Sequence, residues 1–110
     1  LSRNLQIATA ALDATGVCLF VSFAMLDDPT ALEGICEMLG GLYGREFTAD
    51  DYLAIGKETL ANERKFNIAA GFTAAADRLP DFFKTEKLAP HEVTFDVPDE
   101  ELDQVYDFVQ

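Results

Sequence analysis

Apolar positions recur at helical spacing along most of the chain. Leu1, Leu5, Ala8 and Leu12 lie three to four residues apart, on one face of a helix, with Ser2 available as an early cap and Gly16 as a stop. This predicts a first helix over residues 2–15. Val17 to Leu26 is apolar nearly all round, and its length and lack of alternation predict a helix buried on every side. Asp28 before Pro29 is a helix start, since the carboxylate accepts orphan amide protons and proline leaves no amide unsatisfied at the first position. Leu32, Ile35, Cys36 and Leu39 then form an apolar stripe, with Gly40 and Gly41 expected to end it. Thr48 and Asp51 have the spacing of a capping box, so the next helix begins there. Tyr52, Ile55, Thr59, Leu60 and Phe66 line one side of that helix, and Gly71 marks its end.

The pattern weakens after Gly71. Thr73 to Ala76 has no amphipathic order, and Leu79 is pushed away from helix by Pro80, which predicts a loop. Val93, Phe95 and Val97 alternate with Thr94 and Asp96, as in one short extended segment. Leu102, Val105, Tyr106 and Val109 return to helical spacing behind Asp99, Glu100 and Glu101, whose charges favour a helix N-terminus. A lone strand makes no sheet, so the expected class is all-α: a compact bundle of about four or five helices forming a single domain over residues 1–110.

Charge narrows the partners. Eight basic against twenty acidic residues give a net charge of -12, which repels nucleic-acid phosphates and anionic lipid. The longest apolar run is about half of the roughly 20 residues that a membrane-spanning helix needs. No basic leader with a cleavage site is present and two cysteines allow at most one disulfide, so a cytoplasmic setting is expected. The chain starts at Leu1 rather than Met, which points to a piece cut from a longer polypeptide.

Little of the usual catalytic equipment is present. His91, between Pro90 and Glu92, reads as an exposed loop residue, and one histidine is thin support for a nucleophile's base. Phosphate-loop, dinucleotide and zinc-protease motifs are missing. Asp27 and Asp28 suit capping better than a metal, and Cys36 on its apolar stripe suits a packed core thiol. Composition alone reads Cys18 as a buried thiol, with metal ligation as the alternative. A single cysteine cannot hold an iron–sulfur cluster, which takes four thiolates, so a cluster role requires cysteines from elsewhere.

Asp13-x-x-Gly16-Val17-Cys18 resembles the Asp-x-x-Gly-Leu-Cys signature of the aldehyde ferredoxin oxidoreductase family. Glu63-Arg64-Lys65-Phe66-Asn67-Ile68, then Gly71-Phe72 and Asp77-Arg78-Leu79-Pro80, are similar to that family's later landmarks in the same order, as is the stretch from Thr48 to Gly56 between the two blocks. The likeness spans about Asp13 to Pro80 and corresponds to the family's C-terminal helical domain.

The resemblance implies a piece of an enzyme that carries tungsten, or molybdenum, on two pterin cofactors beside a 4Fe-4S cluster. Such an enzyme oxidises an aldehyde to a carboxylic acid and passes electrons to ferredoxin. By resemblance, Asp13 contacts a pterin, Gly16 lets the backbone approach it, Val17 replaces the usual leucine, and Cys18 is the fourth cluster ligand. The implied partners are the remaining domains of the same enzyme, ferredoxin and a small aldehyde; the chain alone is expected to be inactive and prone to self-association. The competing expectation is a stand-alone acidic helical module that binds proteins, with Cys18 merely packed in its core.

Overall fold

The structure, a computed structural model, describes residues 1–109. Its contacts divide the chain into two units, Leu1–Glu63 and Arg64–Gln110. Among the described residues the regular structure is helical throughout, as the sequence pattern requires of an all-α chain.

In the first unit, local chemistry sets most helix ends. Helix α1 (Ser2–Ala14) stops where Gly16 adopts φ 76°, a left-handed conformation that costs glycine nothing. Helix α2 is Val21–Asp27 and α3 is Thr30–Tyr43. Ahead of α3, one Asp28 carboxylate oxygen accepts both the Thr30 N–H at 2.9 Å and the Thr30 hydroxyl at 2.7 Å, the capping role expected of it. Helix α4 (Ala49–Ala69) opens on a reciprocal box: Thr48 N–H donates to Asp51 at 2.8 Å, and Asp51 N–H donates to the Thr48 hydroxyl oxygen at 3.2 Å.

The core lies entirely in this unit. Ala11, Leu12, Ile35, Cys36, Phe47 and Tyr52 form its buried cluster, with Val17, Met25, Leu32, Leu39 and Ile55 packed around it. Helix α4 approaches α1 closely at Gly56, where any Cβ would overlap the Ile7 carbonyl oxygen and sit 3.0 Å from the Ala11 nitrogen. One turn earlier, the Tyr52 hydroxyl donates to the Ala8 carbonyl at 3.3 Å.

Two expectations fail here. Helix α3 does not end at Gly40 and Gly41 but continues to Tyr43, and Gly44 at φ 67° makes the stop. Gly40 is helical and serves packing instead, since the chain folds back over it and a Cβ there would lie 2.9 Å from the Arg45 carbonyl oxygen. Val17 to Leu26 is neither one helix nor buried on every side. A turn carries it from Cys18 to α2, which lays only Ser22 and Met25 inward, and Phe20 and Leu26 remain 75% and 81% exposed. A helix of seven residues can rest only one narrow face on a neighbour.

The second unit has short elements and no buried side chain among its described residues. Past Gly71 come a 3-10 turn (Ala74–Asp77), α5 (Phe82–Thr85), α6 (Asp99–Asp103) and a closing 3-10 turn (Gln104–Tyr106). Leu79-Pro80 is a loop as expected, but α5 was not foreseen. The extended segment reduces to one isolated pairing of Leu88 with Val93, with a further tie from Phe95 N–H to the Phe83 carbonyl at 2.8 Å. Phe66, expected on the inward side of α4, is 73% exposed.

Ion pairs are plentiful instead. Arg64 meets Asp77 at 2.7 Å and lies over the Tyr106 ring. Arg78 bridges Asp99 at 3.1 Å and Asp103 at 2.8 Å, and Lys84 adds a contact to Asp99 at 3.2 Å. No helix among the described residues is long and apolar enough to cross a membrane.

Candidate functional site

The four residues picked out by the signature occupy the end of α1 and the turn after it. Asp13 sits on the last helical turn with its carboxylate exposed. Its backbone carbonyl accepts the Gly16 N–H at 3.0 Å, while the Thr15 hydroxyl donates to the Leu12 carbonyl at 2.6 Å. These bonds close the helix and leave the Asp13 side chain outside the capping network. Gly16 has no heavy atom within 4 Å of the place a Cβ would occupy, so its outer face is open. Val17 is half-buried against the core and anchors the turn. Cys18 is exposed and unpaired, and its carbonyl accepts the Val21 N–H at 2.9 Å, which starts the path into α2.

The two thiols thus have opposite surroundings. Burial pushes the Cys36 thiol up, with smaller upward pushes from the Asp51 and Glu33 carboxylates, and so keeps it protonated and inert. Cys36 is the packed core thiol its stripe implied. Cys18 is not packed, which overturns the buried-thiol reading at that position. His91 is exposed, as expected.

The donor set defines what this turn can hold. Among the described residues no three His, Cys, Asp or Glu side chains converge as a metal cage. One exposed thiol can supply one of the four thiolates a cluster takes, and no more. An exposed carboxylate beside an open glycine can accept paired hydrogen bonds from the ring amino and N–H groups of a planar heterocycle. The residues therefore fit a partial contribution to each group and a complete site for neither.

One neighbour was missed by sequence reasoning. A surface groove of about 600 Å³ between α1 and α4 is lined by Asp13 at one end and by Glu63, with Leu5, Ala10, Thr59 and Leu60 along it. Glu63 opens the second block of family landmarks, fifty positions from Asp13 in sequence, and only the pairing of α1 with α4 brings the two carboxylates to one groove. Beside the turn, a smaller cavity of about 280 Å³ has almost wholly apolar walls, among them Leu12, Leu19, Met25, Leu26 and Tyr52.

The class that fold and geometry define is an all-α domain with an exposed thiol and an exposed carboxylate at the end of its first helix. The family model described as "Aldehyde ferredoxin oxidoreductase, domains 2 & 3" matches residues 1–110, and the chain belongs to the aldehyde ferredoxin oxidoreductase family. It is 39% identical over 85 residues to the tungsten-containing aldehyde ferredoxin oxidoreductase of Pyrococcus horikoshii, a stretch covering 76% of this chain and 13% of that protein. The enzyme of the same description from Pyrococcus furiosus is 37% identical over 84 residues, with the same coverage. The aligned stretch is thus a small part of each curated relative. No solved structure matches the chain significantly.

Proposed function

We propose that this chain is the C-terminal helical domain of a tungsten-pterin aldehyde ferredoxin oxidoreductase and that the α1 end turn is its contribution to the cofactors. The observation that carries this reading is the exposed, unpaired Cys18 thiol on a turn fixed by Gly16, one helical end away from the exposed Asp13 carboxylate. Asp13 accepts hydrogen bonds from a pterin ring, and Gly16 keeps the approach clear of side-chain atoms. Val17 holds the turn to the core. Cys18 supplies one thiolate of a 4Fe-4S cluster whose other ligands come from elsewhere in the enzyme.

When bound, the metal centre and cluster supply redox chemistry: an aldehyde and a water become a carboxylic acid, two protons and two electrons, which leave singly to ferredoxin. On this reading the redox centre is completed by the rest of the enzyme, and the domain turns over aldehyde only as part of it. Its own roles are to position the pterin, ligate the cluster and present the exposed α2 face to the rest of the enzyme. Membership of the family and the exposure of Cys18 favour this reading over a stand-alone protein-binding module with Cys18 in its core.

Cys18→Ser in the full-length enzyme tests the reading. Iron content and the cluster's visible absorption should fall while circular dichroism keeps its helical signal. Unchanged iron together with unchanged reduction of ferredoxin would overturn it.

A further inference from the structure

The second unit raises a physical problem: no described side chain in it is fully buried and Leu102, Val105 and Tyr106 are only half-buried, so thin apolar contact leaves charged contacts a larger share of holding it. Residues 99–107 carry Asp99, Glu100, Glu101, Asp103 and Asp107 and no Lys or Arg. Arg78 grips two of these carboxylates at once, Asp99 through Nε and Asp103 through Nη2, and Lys84 shares Asp99. Asp99 and Asp103 are four positions apart on α6, so one guanidinium spans one helical turn. An isolated exposed pair would hold little, but a shared network of several charges is the case in which such contacts count. The carboxylates remain about half exposed, at 48% and 47%, so dissolved ions reach them readily.

We propose that Asp99–Tyr106 is an ionic latch, closed on Arg78 and Lys84 at low ionic strength and released by salt while Leu1–Glu63 stays folded. Helix α6 has five residues, far too few to persist without outside contacts, so release also melts it. Closure withholds two of the chain's eight basic side chains from other anions, and release returns them.

Amide hydrogen exchange on the whole chain, between about 0.01 M and about 1 M NaCl, shortens the Debye length from about 30 Å to about 3 Å. Protection of the Leu102 amide, which is bonded to the Pro98 carbonyl, and of its neighbours through Tyr106 should fall about tenfold, with the amides of α1 and α3 changing less than about twofold. Arg78→Gln should bring the low-salt protection of these amides to the high-salt level, and Arg78→Lys should lie between. Salt-independent protection in the unaltered chain, or equal losses in α1 and α3, would overturn the latch, and so would full protection in a folded Arg78→Gln variant. The titration of the unaltered chain decides the matter even if that variant loses its second unit.

Discussion

Leu1–Glu63 and Arg64–Val109 differ in the strength of their helical signals and are held by different forces. The first unit buries Leu12, Ile35, Phe47 and Tyr52 and closes its helices with local hydrogen bonds. The second joins elements of three to five residues through half-buried apolar contacts and the ion pairs of Arg64, Arg78 and Lys84. Burial is non-directional and insensitive to dilute salt, whereas half-exposed ion pairs weaken as counter-ions accumulate. The difference also sorts the candidate site residues. Asp13, Gly16, Val17 and Cys18 stand on the unit with the core, against which Val17 packs to fix their turn.

Removing core volume should have the largest effect. Leu12 is 2% exposed, and Leu12→Ala should cost about 3 kcal/mol of stability in urea unfolding. The matching truncation in the second unit, Phe66→Ala, should change stability by less than about 0.5 kcal/mol, because that ring is already in solvent. Equal effects would abolish the distinction between the units. Next in size is Gly56→Ala, at about 2 kcal/mol, since the added methyl can enter only by pushing α4 away from the α1 backbone. Unchanged stability would show that the close approach of these helices is not needed.

How far the sequence anticipated this depends on the range of the interaction. The Thr48–Asp51 box and the Asp28 cap were legible because donor and acceptor are three residues apart or fewer. The stop of α3 was misread because a glycine can serve either left-handed backbone or close packing. Gly40 serves packing under Arg45, and Gly44 supplies the turn. The exposure of Phe20 and Leu26 was hidden for a related reason: an all-apolar run calls for cover without saying whether this chain provides it. In the candidate site, Asp13 to Cys18 could be read as a contiguous motif. Glu63 could not be placed in the same groove as Asp13 without the pairing of α1 and α4.

Thr48→Ala should cost about 1 kcal/mol, measured by thermal unfolding, because it removes the hydroxyl half of the box. Acid probes the same pair. Hydrogen bonds from the Thr48 N–H and hydroxyl hold the Asp51 carboxyl below its ordinary value. Its contribution is therefore complete above the unfolded carboxyl's titration near pH ~4 and is lost as the pH falls through the lower native value. Asp99 is lowered as well, chiefly by its hydrogen bond from Lys84 and then by the nearby charges of Arg78 and Lys84, so the sign is the same. The units should part under salt: at neutral pH, added NaCl should leave the cap of α4 in place and loosen α6. A common salt response of both, seen in residue-resolved exchange, would contradict this.

The smallest effect on stability should come from the exposed apolar turn and α2. Phe20→Ser removes a ring that is 75% exposed, so unfolding should shift by less than about 0.5 kcal/mol. Its effect on association should be far larger, because Leu19, Phe20, Phe23 and Leu26 together form an uncovered apolar surface on this unit. A net charge of -12 opposes self-association at low salt, so sedimentation of the unaltered chain should shift toward larger species as NaCl rises. Salt would thus act on the two units with opposite results, releasing a charged segment in one and bringing apolar faces together on the other. Phe20→Ser should suppress the second response and leave the first intact. Loss of both responses in that variant would mean that association, rather than screening of Arg78 and Lys84, loosens α6.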